Sequence, residues 1–292
     1  MRIYNPKEWF GILFQFHKSD TLRKLLILII IIAFYAAIVV FAEVTYFKTH
    51  DNSPLKNFSI MHTILGFVLS LLLVFRTNTA YDRWWEGRKL WGALVNNSRN
   101  LAIKLHTLLD DSDENNRDFF RKAIPMFAFV LKDHLQAEAT RYTLDEEEHP
   151  ELKNIDTDKH TPNQVAKAIM TRAMQLYNEK KITGEQLYFI NNELSSFTDI
   201  SGACERIKNT PIPYSYSAFI KKFIFIYIMT LPIAYSFSLG YLSVLVVSVV
   251  FYVLGSLELI AEEIEDPFGK DSNDLPMEKI ASNIEKHVAE IL

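Results

Sequence analysis

Phe67, Leu71 and Phe75 stand at i, i+4 and i+8, one above another on a single helix face. Copies of that face gathered around a symmetry axis would stack three apolar rings, a constriction that controls ions by expelling water. The chemistry would be physical gating, with no bond made or broken. Spacing alone favours a stripe packed against the chain's own helices, which is what most apolar stripes do. Two other residues in the apolar runs carry polarity or a break, His62 and Pro232. A hydrogen bond near the outer membrane interface is expected for His62, and a kink for Pro232.

Other chemistries find little support. The apolar runs hold no carboxylate, lysine or arginine, whereas an ion-coupled transporter normally keeps an ionisable group or broken helix near mid-membrane. The chain has 8 His and 1 Cys. Cys204 has no disulfide partner, and His134, His149 and His160 are too scattered in sequence to nominate as a site. No enzyme is expected, and no cofactor. A secondary transporter and a non-conducting scaffold remain as other classes.

The elements that must position the stripe are legible from the partition of charge. The 292 residues average to a net charge of −4 and a mean hydropathy of +0.04, values that would suit a soluble protein. Yet Leu25–Ala42 and Phe58–Phe75 carry no Asp, Glu, Lys or Arg, and neither does Phe223–Leu257. At about 1.5 Å per helical residue, each of the first two runs nearly crosses a hydrocarbon core of roughly 30 Å. The third is too long for one crossing, so Ser238-Leu239-Gly240 is the expected reversal between two spans. Glu43-Val44-Thr45-Tyr46 does not resemble a cleavage site, so the first run is read as a span and not as a signal peptide.

Between the second and third spans the chain is polar, with helical spacing and no convincing period-two segment. With 34 Phe and Tyr in total (21 and 13) against 9 Gly, packed helices are favoured over turn-rich sheets. Expected helices cover 81–108, 116–138 with a bend at Pro125, a segment from Thr161-Pro162 to about Glu179 with Thr161 as N-cap, and one from Thr183 to about Lys208. The last opens on a capping box, Thr183 with Gln186. Pro211-Ile212-Pro213 ends it, and a short helix follows from about Pro276. The expected organisation is an interfacial segment at 1–24, transmembrane helices 1 and 2 in 25–75, a helical cytoplasmic region at 76–216, transmembrane helices 3 and 4 in 217–262, and a cytoplasmic tail at 263–292. Arg and Lys flank the spans on the side of the termini, while the short opposite loops hold only Lys48 and Lys56. The positive-inside rule then puts both termini in the cytoplasm of a multi-pass inner-membrane protein.

From Arg76 to Gly92 the second span continues into a dense aromatic and basic word, with Tyr81, Trp84, Trp85 and Trp91 beside Arg76, Arg83 and Arg88. A headgroup-level belt explains these types, though not their density. The text FRTNTAYDRWWEGRKLWGALVNN, with CERIKNTPIP at 204–213 and IEDPFGKDSNDLP at 264–276, closely resembles the bacterial branch of the bestrophins over essentially the whole chain. That resemblance implies an all-α homopentameric membrane channel, four transmembrane helices per subunit with a large helical cytoplasmic region, around a central pore. It assigns the pore neck to Phe67, Leu71 and Phe75, the stripe that spacing had put on one face. The first ring is aromatic where small aliphatics are common in bacterial relatives.

The family's second, cytoplasmic aperture maps to about Glu185, where relatives carry an aliphatic residue. Either Leu187 or Ile182 takes that place, or five carboxylates ring the exit; a first-turn glutamate answering the helix dipole is the plain alternative. Animal bestrophins bind calcium through the acidic segment after the last span. Its counterparts here are Glu263, Asp266, Asp271 and Asp274, but Lys270 interrupts the run, and a structural turn joining helix ends and adjacent subunits is expected in place of calcium. Animal members pass anions and bacterial ones are associated with monovalent cations. With Glu258, Glu262 and the acidic run at 145–148 near the cytoplasmic mouth, sodium or potassium is expected over chloride.

Overall fold

A computed structural model describes residues 21–47, 58–136 and 159–292. The interfacial segment read within 1–20, most of the first loop, and the acidic run at 145–148 lie outside them. Among the described residues every element is helical: α1 (Thr21–Ala42), ending in a π-turn at Glu43–Phe47, then α2 (Phe58–Leu108), α3 (Glu114–Leu135), α4 (Thr161–Asn178), α5 (Gly184–Asn209), α6 (Tyr214–Leu239), α7 (Leu242–Glu265) and α8 (Met277–Ile291). They form two compact units, one of residues 1–83, 211–266 and 271–273 and the other of 84–210, 267–270 and 274–292.

The first unit holds 4 helices long and apolar enough to cross a membrane, α1, α2, α6 and α7. In hydrocarbon a helix satisfies its own backbone, which is why these uninterrupted apolar runs can only be helical there. Inside the unit α7 packs on α1 and α6, around a core that includes Ala36, Leu69, Leu73, Ile224, Ile228 and Val247. Gly66 gives α6 room to approach: a Cβ there would lie 2.8 Å from the Tyr227 hydroxyl. Gly240, at φ +52, turns the chain between α6 and α7 as the Ser-Leu-Gly signal predicts. Pro232 lies inside α6 and buried.

The second unit is a helical bundle in which α3 packs against α4, α5 and α8, and α4 against α5. Its core is aromatic, with Trp91, Phe119, Phe127, Phe197 and Phe268 fully buried. The capping box is present: the Thr183 hydroxyl accepts from the Gln186 N–H at 3.3 Å, and the Gln186 side chain accepts from the Thr183 N–H at 2.8 Å.

The helix of the second span crosses Arg76, where only the solvent changes, and α2 runs unbroken for 51 residues. Two boundaries differ from expectation. The last span likewise continues through its acidic end to Glu265. At α4 the N-cap is His160 and not Thr161: the His160 ring accepts from the Asn163 N–H at 3.3 Å, and Thr161 and Pro162 fill the first helical positions.

Candidate functional site

On the membrane part of α2, side chains separate sharply by face. Leu69 and Leu73 are buried in the core of the first unit, whereas Phe67, Leu71 and Phe75 are 72%, 46% and 56% exposed. The stripe therefore does not pack against the chain's own spans, the role that spacing alone favours. Ser70 and Thr79, polar residues near the stripe, return their hydroxyls to the carbonyls of Gly66 and Phe75, leaving an uncharged surface.

His62 is buried near the start of the same helix. Its Nε2 lies 2.9 Å from the Thr230 hydroxyl, joining α2 to α6, and its Nδ1 lies 3.2 Å from the Phe58 carbonyl of its own helix.

Immediately below the stripe the structure departs from a headgroup anchor. Arg76 is 1% exposed; its Nη2 lies 2.6 Å from Glu265 and its Nε 3.7 Å from Glu258, itself buried. Glu265 also accepts from the Ile212 N–H at 2.8 Å, tying the Pro-Ile-Pro break to the end of α7. A charge buried so completely needs a partner of opposite sign. The signal in the sequence was the pair of glutamates, Glu258 and Glu265, closing the last span opposite a lone arginine closing the second. The other acidic residues there are also engaged: Glu263 with Lys24, and with Asn273 at 2.6 Å, and Glu262 with Lys221 at 2.9 Å.

Glu263, Asp266 and Asp271, all in the first unit, do not bring three ligand atoms together, and Asp274 is buried in the second. What the segment does is pack. A Cβ on Gly87 would lie 3.1 Å from the Pro267 ring and 3.2 Å from the Phe268 ring, and the Gly269 carbonyl accepts from Gln136 at 2.9 Å. The two most distinctive words of the sequence, YDRWWEGRKLWG and DPFG, are thus two sides of one contact.

At the expected aperture, Glu185 is exposed in the first turn of α5. Its own backbone N–H and then the Thr183 hydroxyl hold its carboxyl below the ordinary value, as the helix-dipole reading expects. Ile182 is buried in the core of the second unit and Leu187 packs partly against that core, so Ile182 does not offer a surface ring.

Of the histidines read as scattered, His149 lies outside the described residues. His134 and His160, distant in sequence, have ring centroids 4.5 Å apart, with Glu205 between their Nε2 atoms. Only tertiary structure brings them together.

The family described as bacterial/fungal bestrophin protein matches residues 2–290. A voltage-dependent anion channel-forming protein of Nostoc sp. is 34% identical over 98% of this chain and 92% of its own length. A relative of the same description in Escherichia coli is 30% identical over 97% and 91%. Among solved structures, a variant of a bacterial bestrophin homologue from Klebsiella pneumoniae superposes with a TM-score of 0.81 at 24% identity, covering 92% of this chain and 98% of that one; this last likeness is one of fold. With a family match across nearly every residue and relatives alike over nine-tenths of their length, the chain belongs to the bacterial/fungal bestrophin family.

Proposed function

We propose that the protein is a homopentameric channel of the bacterial inner membrane, with cytoplasmic termini, that conducts small monovalent ions passively through a neck lined by Phe67, Leu71 and Phe75. The observation that carries this reading is the exposure of the three neck residues beside their buried neighbours Leu69 and Leu73. A stripe unclaimed by its own subunit is available to an axis shared with other subunits. Being uncharged, it controls wetting and width and leaves ion sign to other groups.

Anions are the first reading for the permeant ion, since the relatives are described as anion channel-forming. Two of the groups that favoured cations carry less weight once folded: Glu258 is buried beside Arg76, and Glu262 is paired with Lys221. The cation reading keeps one specific support, the exposed Glu185 carboxylate near the expected exit, which in five copies would concentrate sodium or potassium. The resemblance offers Leu187 as the other residue for that aperture.

Purified protein in a planar bilayer under a potassium chloride gradient tests both points. A current whose reversal potential lies toward the chloride equilibrium value supports the anion reading, and one toward potassium supports the cation reading. Flux that saturates and requires a second ion would replace the channel with a coupled transporter.

A further inference from the structure

Three side chains in the second unit converge away from the stripe. His134 closes the last turn of α3, His160 caps α4, and Glu205 lies in the last turns of α5. From Glu205 Oε1, the His160 Nε2 is 2.8 Å away and the His134 Nε2 3.4 Å, and one ligand atom from each residue lies within 4.8 Å of the others. Around a tetrahedral zinc ion with bonds of about 2.0–2.1 Å, neighbouring donor atoms stand about 3.3 Å apart. The three therefore already sit close to donor spacing. All are half-buried, which leaves an open side for a fourth ligand from water.

The donor set selects the class of ion. Two imidazoles and one carboxylate suit zinc and its first-row neighbours, and do not suit calcium or magnesium, which prefer oxygen alone. The ring centroids of His134 and His160 lie 4.5 Å apart, so both imidazoles face the same carboxylate. The adjacent Cys204 is buried and lies outside this cluster of ligand atoms. Ser201 donates to Glu205 Oε1 at 2.9 Å, the kind of outer contact that orients a ligating carboxylate. We propose that His134, His160 and Glu205 form a zinc-type site with three protein ligands and one open position, joining the ends of three helices of the second unit.

Binding has an identifiable cost. In the metal-free geometry His160 accepts from the Asn163 N–H through Nδ1 and donates to Glu205 through Nε2. A metal on Nε2 sends the ring proton to Nδ1, which then no longer accepts, so the cap contact at 3.3 Å is exchanged for the metal bond. Lys208, whose charge also bears on His134, opposes the cation, while Glu205 offsets it.

Full-length protein, purified in detergent and stripped with chelator, is titrated with Co²⁺ as a visible probe and Zn²⁺ as competitor. The expected result is one Co²⁺ per chain, displaced by Zn²⁺ and not by Ca²⁺, with an X-ray absorption spectrum of the zinc form showing two imidazole ligands. Glu205→Gln and His134→Gln each weaken binding by more than about tenfold, the scale on which even an outer-shell change acts, while His287→Gln does not. Absence of a stoichiometric Co²⁺ band, a zinc shell without imidazole, or affinity unchanged in both variants overturns the site. If either variant fails to fold, the wild-type stoichiometry and ligand count still decide.

Discussion

Arg76 shows how one buried charge is tied down unevenly. Its Nη2 is in close contact with Glu265, whereas Nε and Nη1 have no hydrogen-bond partner among the described residues, and neither do the oxygens of the neighbouring Glu258 carboxyl. Removing one member of a buried pair leaves the other uncompensated, at about 3–5 kcal/mol. Arg76→Met is therefore expected to lower the melting temperature in detergent strongly, and Glu265→Gln nearly as much. Glu258→Gln, which breaks no hydrogen bond, should cost far less; equal losses from the two glutamate variants would refute this division. A partly buried residue at the head of α3 makes a pH-dependent case. Burial raises the Asp113 carboxyl, but hydrogen bonds from Lys181 and Asn116 outweigh it and hold the group below its usual 3.8. A depressed carboxyl contributes stability above its unfolded value and loses it as pH falls through the folded one. Asp113→Asn should therefore melt below wild type at neutral pH, and the two curves should converge below about pH 4, where the unfolded carboxyl begins to bind its proton.

Elements carry the information that single residues do not. Helix type and most boundaries were legible because apolar runs, a capping box and a Pro-Ile-Pro break each act locally, within one turn of chain. The cap at His160 was not, since it depends on an imidazole replacing a hydroxyl. The stripe's face was legible and its exposure was not, because burial is set by residues of α6 and α7 far along the chain. The same distance hid the convergence of His134, His160 and Glu205, and the contact of Gly87 with Pro267 and Phe268. That contact predicts opposite effects for two glycines on one helix. Ala is favoured over Gly inside a helix by about 1 kcal/mol, and at Gly92 only the flexible end of Arg88 is near, at 3.4 Å; Gly92→Ala should raise the melting temperature. At Gly87 the added carbon meets two rings, one of them fully buried, and overpacking of about 1–3 kcal/mol exceeds the helix gain; Gly87→Ala should lower it. Two shifts of the same sign would mean that the DPFG segment yields to α2.

At the scale of the whole molecule the question is what covers the apolar surface that the first unit leaves open. Ile27, Phe34, Ile64, Phe225 and Leu245 are each at least 60% exposed, as is Phe67. Water is an unacceptable neighbour for so much contiguous apolar surface, so lipid or other subunits must supply the cover. Lipid asks nothing of shape, whereas a pore lining must also leave a path. The proposed pentamer separates these roles by giving Phe67, Leu71 and Phe75 to the axis and the remaining faces to bilayer and neighbours. Three stacked apolar rings empty of water when narrow and fill when widened, so side-chain volume should govern conduction while ring charge stays zero. Replacing all three by alanine is then expected to raise single-channel conductance severalfold, with the pentamer unchanged by mass measurement and the reversal potential nearly unmoved. Ile64→Ala and Phe225→Ala, exposed residues outside the assigned neck, should leave conductance as it was. Flux through the triple variant equal to that of wild type, in liposomes of matched protein content, would remove the neck from these residues, whereas loss of the pentamer would show that the stripe serves assembly and not the pore.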